Sequence, residues 1–365
     1  MSADNEQPAG DDDNDGFDYS GYLLFNKVCK TSLLGDFSLE GTSSDIERAV
    51  FDRLGEFEEG TAKNPGKGYE ILDFRNFVYD EELDLPGELI DYAESLVTLR
   101  YKYEEYHEEI AEVNPGERKT VQIPATKDVD IFWDYPDHMF FRGSNKQAKK
   151  AKSQANTAFG DEVAIHNRNL GGDFLLWLFY NYCHENTVSD SLEFERLSNG
   201  EVTGKEDIFG AENTNKENSD LKYNAPTLLG LLLEKSFASI EGTLLLEDEV
   251  KIQTEIAADK VQIKTSKAGL KSASDLERMI VGLAVAREIS ELHEHWENLP
   301  PQDKYPPLEF FCELYDVLQN RCGLTVSQSF MPVLREYANK RDENFTDDEL
   351  QNICSGINDG YGTDS

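Results

Sequence analysis

The sequence predicts an α+β fold with antiparallel sheets in two lobes, flanking helices and a long C-terminal amphipathic helix. Two groups of strand-like segments joined by short turns, at 96–142 and 239–265, predict the two sheets. Residues 274–296 show helical spacing behind a capping box formed by Ser274 and Glu277, which predicts the long helix. With 365 residues, of which 39% are hydrophobic, the chain can bury a sizeable core.

Composition divides the chain into five parts. The first residues are acidic with almost no apolar content, so they cannot offset the entropy of ordering. The segment 186–224 is rich in Asn, Glu, Ser and Gly, which is typical of a loop with at most one strand, at 192–197. The predicted units are a disordered acidic tail at 1–19, an N-terminal α+β lobe at 20–185, a polar insertion or loop at 186–224, a C-terminal sheet with helices at 225–340, and a loose acidic tail at 341–365.

The N-terminal lobe combines strands and helices in alternation. Its predicted elements are a strand at 22–28, a helix at 44–57, an extended aromatic segment at 69–79, strands at 96–113, 120–133 and 139–142, a helix at 144–159, a strand at 162–166 and a buried apolar element at 174–182. A helix over 88–113 is an alternative to the first long strand, because Leu89, Ile90 and Ala93 fall at helical spacing. Tyr101 and Tyr103 favour a strand in the second half of that segment.

The C-terminal lobe begins with a three-stranded meander. Strands are predicted at 239–246, 250–256 and 260–265, where apolar and polar residues alternate as in a sheet with one solvated face. The long helix at 274–296 ends at Pro300 and Pro301, and a further helix is predicted at 308–319.

Charge and composition restrict the class of function. Asp and Glu number 72 against 35 Lys and Arg, which gives a net charge of −37 and argues against a surface that coats anionic polymers. An acid excess spread over a chain with 16 Tyr and 20 Phe is typical of a folded, halophile-like protein. Without a signal peptide or an apolar span, we expect a cytoplasmic protein. The five cysteines include no C-x-x-C pair and are expected to be reduced thiols in the core.

Two stretches without acidic residues stand out in this acidic chain. Between residues 139 and 160 there are none, whereas the chain-wide frequency would give about four. A second such stretch, 260–274, begins with Lys260. The two basic islands predict contacts with a phosphate backbone, although the lysines could instead lie over carboxylates from elsewhere. The candidate nucleic-acid-binding residues are Arg142, Lys146, Lys149, Lys150 and Lys152 in the first island, and Lys264, Lys267 and Lys271 in the second.

The sequence contains no catalytic or metal-binding motif that we would assign, and we expect neither enzymatic activity nor a cofactor. Phosphate-binding glycine loops and the G-x-S-x-G motif are absent. One loose pattern suggests a metal-dependent nuclease: Asp248 precedes a Gln262-Ile263-Lys264 triplet. Three nearby carboxylates, Glu249, Glu255 and Asp259, would be the candidates for holding a metal.

The order of elements from Ile123 onward resembles the recombination-associated RdgC family. The similarity rests on short patterns within 120–296. They are Ile123-Pro124, the DIFWD run at 130–134, Met139-Phe140-Phe141, Ala148 to Ala151, Phe159-Gly160, the GDFLLWL run at 172–178, Leu233-Glu234-Lys235, Ile256-Ala257-Ala258 and Leu276-Glu277-Arg278. The resemblance implies a homodimeric, ring-forming, non-enzymatic protein that binds double-stranded DNA and restrains recombinase filaments.

Three functions follow as hypotheses from these patterns. The first is sequence-independent DNA binding by the two lysine islands, in recombination or in nucleoid structure. The second is an acidic interaction protein, a DNA mimic or a mobile-element factor, that binds a basic protein partner such as a recombinase. The third is the metal-dependent nuclease. The arrangement of Lys149, Lys150, Lys264 and Lys267 distinguishes the first two, since DNA binding requires these lysines to converge rather than to lie among acids.

Overall fold

The structure is a computed structural model that describes residues 23–35, 37–72, 74–114, 117–207, 210–215, 220–265, 268–321, 323 and 330–358. Helices and one large antiparallel sheet confirm the predicted α+β class. The predicted acidic tail at 1–19 lies outside the described residues. Within the described part of the chain, no helix is long and apolar enough to cross a membrane.

Eleven strands are described. They are β1 (Leu23–Leu33), β2 (Lys67–Ile71), β3 (Val97–Asn114), β4 (Glu117–Asp134), β5 (His138–Arg142), β6 (Val163–Asn167), β7 (Leu192–Asp207), β8 (Gly210–Asn215), β9 (Ser236–Leu246), β10 (Val250–Ala257) and β11 (Lys260–Ile263). The described helices are α1 (Ser43–Leu54), α2 (Phe74–Asp80), α3 (Gly87–Ser95), α4 (Asn145–Phe159), α5 (Gly172–Cys183), α6 (Ala225–Leu232), α7 (Asp275–Asn298), α8 (Pro301–Lys304), α9 (Leu308–Asn320), α10 (Met331–Lys340) and α11 (Asp347–Asn358), with short 3₁₀ turns at Leu221–Tyr223 and Ala268–Lys271.

Strand β1 joins the two predicted sheets into one. The strands lie in the order β2-β3-β4-β5-β1-β11-β10-β9-β7-β8, and β6 also pairs with β1. The first part of β1 pairs with β11, its middle with β5 and its end with β6. The meander of each lobe is present as predicted, but the two meanders share this strand instead of forming separate sheets.

Helices cover the two faces of the sheet unequally. On one face, helix α7 crosses β1, and Leu23, Phe25 and Ile263 belong to the large apolar cluster that also contains the helices of the second half of the chain. On the other face, α1 and α4 pack a smaller cluster over β3, β4 and β5. Alanines line the buried side of α4. The strands β9, β10 and β11 alternate buried residues with partly exposed polar ones, so their second face is open.

Helix α7 is present at the predicted position but is less amphipathic than its spacing suggests. All seven residues from 280 to 286 are buried, so the middle of the helix contacts protein all round. A Cβ atom added at Gly282 would lie 2.7 Å from Leu23 Cδ1 and 3.5 Å from Phe25 Cε2. Glycine therefore sets the close approach of α7 to β1.

A long two-stranded arm extends from the sheet. Strands β3 and β4 have 18 residues each and pair from Val97 with Trp133 to Asn114 with Glu117. Strand β2 flanks β3 only as far as Tyr103, and β5 flanks β4 only from Asp130 onward. Beyond those points the N–H of Glu104 still donates to Gly66 O at 2.8 Å, and further out neither strand pairs with a third strand among the described residues.

The predicted loop at 186–224 is wrong. Strand β7 runs for 16 residues and pairs with β9 from Leu192 with Leu246 to Thr203 with Ser236, and β8 pairs with its far end. The pairing of β7 with β9 has three register shifts, two of which insert an extra residue in β7 and displace its side-chain alternation. Because a bulge exchanges the two faces of a strand, the polar and apolar residues no longer alternate regularly in the sequence.

Two further segments are helical where the sequence suggested otherwise. The second half of the extended segment at 69–79 is helix α2, which buries Phe74 and Val78 at i, i+4 spacing. The tail expected to be loose at 341–365 contains α11, in which Leu350 is buried. Acidic residues in its first turn favour a helix there, since negative charge is stabilising at a helix N-terminus.

The cysteine prediction is confirmed in part. Cys29 and Cys183 are free thiols, and burial raises the pKa of each to about 12. Cys312 is disulfide-bonded, so the expectation of a reduced thiol is wrong at this position. Spacing along the chain does not by itself reveal which thiols the fold brings together.

The close packing of α7 on β1 can be tested at Gly282. The variant Gly282→Val adds a branched side chain against Leu23 and Phe25, and overpacking of this kind costs about 1–3 kcal/mol. We expect the free energy of unfolding, measured by urea denaturation, to fall by that amount. His295→Val is the control, because His295 is exposed on the same helix. Because valine has a higher helix propensity than glycine, a Gly282→Val protein as stable as wild type, or a loss no larger than that of the control, would contradict the packing argument.

Candidate functional site

The first basic island lies on α4, and two of its lysines face one acid. Lys146 Nζ lies 3.4 Å from a carboxylate oxygen of Glu105 on the β3 arm, and Lys150 Nζ lies 4.0 Å from the same oxygen. Lys150 also sits 3.3 Å from the centre of the Tyr103 ring, and burial lowers its pKa. These two lysines are therefore partly neutralised by their own chain.

Arg142 pairs with a buried carboxylate of the sheet. Its guanidinium lies 2.7 Å from Asp130, whose side chain is 3% exposed. Arg100 lies 2.8 Å from the other oxygen of the same carboxylate. Because a buried carboxylate needs such partners, Arg142 is a structural residue.

The lysines of the second island differ in their surroundings and do not share one partner. Lys264 forms an ion pair with Glu241 across the open face of the sheet. Gln253 and Asn199 donate to the same carboxylate, at 2.6 Å and 3.0 Å. Burial acts to raise the pKa of Glu241, but these hydrogen bonds and the charge of Lys264 lower it overall. Lys260 pairs with Glu255 at 2.7 Å, Lys271 is exposed, and Lys267 lies outside the described residues.

The structural role of Lys264 predicts a loss of stability on its removal. Lys264→Met keeps the aliphatic stem but leaves the half-buried Glu241 without a cation. We expect the free energy of unfolding at pH 7 to fall by about 1–3 kcal/mol, measured by urea denaturation. Lys271→Met, at an exposed lysine, should change it by less than about 0.5 kcal/mol. If Lys264→Met is as stable as wild type, the ion pair contributes nothing and Lys264 is available for ligands.

Two lysines of the first island line a groove that the sequence did not identify. The groove has a volume of about 600 Å³ and lies between α4, β1, β6 and the β10–β11 turn. Lys149 and Lys152 line it together with Lys27 of β1. Lys27 is almost fully buried and forms an ion pair with Asp259. No sequence signal marked Lys27, because its partners are distant in the chain.

The residues of the nuclease hypothesis do not meet. Asp248 lies in the turn before β10, whereas Glu255 lies near the other end of that strand, about 17 Å from its first residue Val250 at the usual rise per residue. Glu255 pairs with Lys260, and Lys264 pairs with Glu241. Among the described residues, no group of three His, Cys, Asp or Glu side chains is placed to hold a metal ion.

A cluster of carboxylates on the α7 face was also not predicted. Only one cation, Arg287 of α7, forms ion pairs with it among the described residues, to Glu291 at 2.7 Å and Asp134 at 3.7 Å. The acidic cluster consists of Glu88, Asp134, Asp137, Glu247, Asp248, Glu288 and Glu291. The i, i+3 spacing of Glu288 and Glu291 on one helix could be read from the sequence. The other five carboxylates come from segments that are distant in sequence, so the cluster as a whole could not be predicted.

Charge crowding in the acidic cluster is reflected in the pKa values. Burial raises the pKa of Glu247, and the charges of Glu88, Glu288 and Asp248 raise it further. Arg287 lies over the Tyr92 ring, 4.9 Å from its centre. The Tyr92 hydroxyl is buried without a hydrogen-bond partner among the described residues. The single arginine thus leaves most of the negative charge uncompensated.

The raised pKa of Asp134 predicts that the free energy of unfolding depends on pH. Burial raises its pKa to about 6, and the charges of Glu291 and Asp137 add to this while Arg287 opposes it. A folded-state pKa above the ordinary value means that the carboxyl contributes stability below about pH 4, which is lost as the pH rises through about 6. Asp134→Asn should therefore raise the free energy of unfolding at pH 8 by about 2 kcal/mol relative to wild type.

The same variant should give little gain at pH 4, where Asp134 is protonated in the folded chain and about half protonated in the unfolded chain. Urea denaturation of both proteins between pH 4 and pH 8 measures this difference. A difference in unfolding free energy that does not change with pH would contradict the raised pKa.

A large cleft adjoins the acidic cluster. It has a volume of about 900 Å³ and shares Asp248 with the cluster, and Ser189 and Ser191 in its wall donate hydrogen bonds to Glu288. Six carboxylates line it against two cations, Arg196 and Lys222. The six are Glu185, Asp190, Glu193, Glu195, Asp220 and Asp248. The cleft therefore extends the negative surface.

Comparison with known proteins adds no identity. No protein-family model matches the chain, and no curated protein matches it at a significant level. The resemblance to the RdgC family, and the DNA binding and recombination that it implies, stay predictions.

Proposed function

We propose that this protein is a non-enzymatic interaction protein whose acidic cluster and adjoining cleft bind a basic protein partner. The observation that supports this most strongly is the imbalance at the acidic cluster, where one arginine faces seven carboxylates. A partner that brings lysines or arginines to this surface would supply the missing positive charge. Complementary charge of this kind accelerates association and selects the partner.

The arrangement of the lysines supports the same choice. DNA binding by both islands requires Lys149, Lys150 and Lys264 to converge, but Lys150 faces Glu105 and Lys264 pairs with Glu241. In the cleft, by contrast, Glu185 and Asp190 form no ion pair with any other described residue. The chain neutralises much of its positive charge internally and leaves negative charge for a partner.

One observation favours DNA binding as a second function. Lys149 and Lys152 line a groove on the sheet face opposite α7, at a distance from the acidic cluster. A nucleic-acid backbone could contact these lysines without crossing the acidic surface. The resemblance to the RdgC family implies a homodimer and a recombinase partner. Both are predictions that accompany this second function.

Neutralising the acidic cluster should weaken the binding of a basic peptide. The test variant carries Glu88→Gln, Glu247→Gln and Glu291→Gln, and the probe is a ten-residue arginine peptide in isothermal titration calorimetry. We expect its Kd to rise at least about tenfold, which corresponds to about 1.4 kcal/mol. Each such ion pair is worth about 0.2–1 kcal/mol, so the loss of three pairs accounts for a change of this size.

The matched control removes the same charge elsewhere. It carries Glu58→Gln, Glu59→Gln and Glu109→Gln, which replace exposed carboxylates outside the cluster and the cleft. We expect its Kd for the same peptide to stay within about twofold of wild type, because charges beyond a Debye length are screened. Equal weakening by both variants would show that the peptide responds to net charge and would refute the acidic cluster as the binding surface.

A further inference from the structure

The groove beside α4 is lined by one face of that helix. Asn145, Lys149, Lys152, Ser153 and Asn156 lie at positions i, i+4, i+7, i+8 and i+11, which form a single stripe on a helix. The opposite side of α4 is buried in the smaller apolar cluster. Packing of the alanines therefore fixes the direction in which this polar stripe points.

The groove carries a local excess of positive charge. It contains three lysines and one carboxylate, Asp259, which forms an ion pair with the buried Lys27. Lys152 Nζ donates to Asn167 Oδ1 at 2.6 Å, but a neutral amide does not cancel its charge. Lys149 is exposed and forms no ion pair with another described residue. Two positive charges thus remain in a chain whose net charge is −37.

The amides of the groove present hydrogen-bond donors. Asn156 Oδ1 accepts from the backbone N–H of Ile165 at 3.2 Å, and Asn167 Oδ1 accepts from Lys152. With both amide oxygens engaged, the Nδ2 groups of Asn156 and Asn167 are left to donate to a ligand. The first turn of α4 also contains no acidic residue, so its N–H groups add to the positive potential.

We propose that this groove binds the phosphate group of a small phosphorylated molecule. Lys149 and Lys152 pair with the phosphate oxygens, and the Nδ2 groups of Asn156 and Asn167 donate to them. Two uncompensated positive charges match a terminal phosphate, which carries close to two negative charges at neutral pH. The volume of about 600 Å³ lies within the range of small-molecule pockets. This site goes beyond the binding of a basic partner, which concerns the opposite face of the sheet.

The test uses isothermal titration calorimetry with pyrophosphate, adenosine monophosphate and adenosine. We expect pyrophosphate and adenosine monophosphate to bind and adenosine, which lacks the phosphate, not to bind. The double variant Lys149→Ala/Lys152→Ala should raise the Kd for both phosphates at least about tenfold, because charge-assisted hydrogen bonds are lost. Circular dichroism melting checks that the variant folds.

The matched control is Lys146→Ala/Lys271→Ala. It removes the same charge from two lysines of the basic islands that do not line the groove. We expect its Kd for pyrophosphate to stay within about twofold of wild type, because Lys146 faces Glu105 and neither lysine lines the groove. Equal weakening in the control, or no binding of either phosphate to the wild-type protein, would overturn the proposal.

A labelled 20-nucleotide DNA, single-stranded and duplex, separates the two sources of phosphate. Fluorescence anisotropy that depends on Lys149 and Lys152 while neither small phosphate binds would overturn the small-molecule site in favour of a nucleic-acid backbone. Binding of the small phosphates, with DNA not bound or displaced by pyrophosphate, would support the proposal. The acidic-cluster variants leave the groove intact, so failure here does not bear on the binding of a basic partner.

Discussion

The pairing of β1 with both meanders is the constraint on which the rest of the structure depends. Its first residues pair with β11 and its middle with β5, so this strand alone holds the two halves in one sheet. Leu23 and Phe25 contact α7 on one face, while Cys29 belongs to the apolar cluster under α4 on the other. A core on each face gives the strand one register, because a slip by one residue would exchange the two sets of side chains.

The sheet also separates the two charged regions of the protein. Helix α7, with Arg287 and its surrounding carboxylates, lies on one face, and α4 with its lysine stripe lies on the other. The open face of β9 to β11 carries ion pairs such as that of Lys264 with Glu241, and the opposite charges of each pair cancel. A chain with a large negative charge can thus keep a local positive groove, because the acids nearest to it are already paired.

Local patterns predicted much of the fold, and long-range contacts decided the rest. The helix predicted at 144–159 matches α4, and the turn predicted at Asn114 is where β3 ends, because capping and turn residues act within a few positions. Only the start of β7, at 192–197, was predicted, and its continuation was missed because bulges break the alternation. The site residues were harder. Lys264 and Lys146 contact acids that are 23 and 41 positions away in the sequence, and Lys27 and Asp259 are separated by 232 positions.

The arm of β3 and β4 should unfold locally before the rest of the sheet does. From Tyr106 outward the two strands pair only with each other among the described strands, and Ile110 is 74% exposed. Two-stranded ribbons are marginally stable in water. Amide protons along the arm should therefore exchange through local fraying that leaves the sheet intact, in a gradient from tip to base. We expect the amides of β1, by contrast, to exchange only on global unfolding, because this strand is paired on both edges.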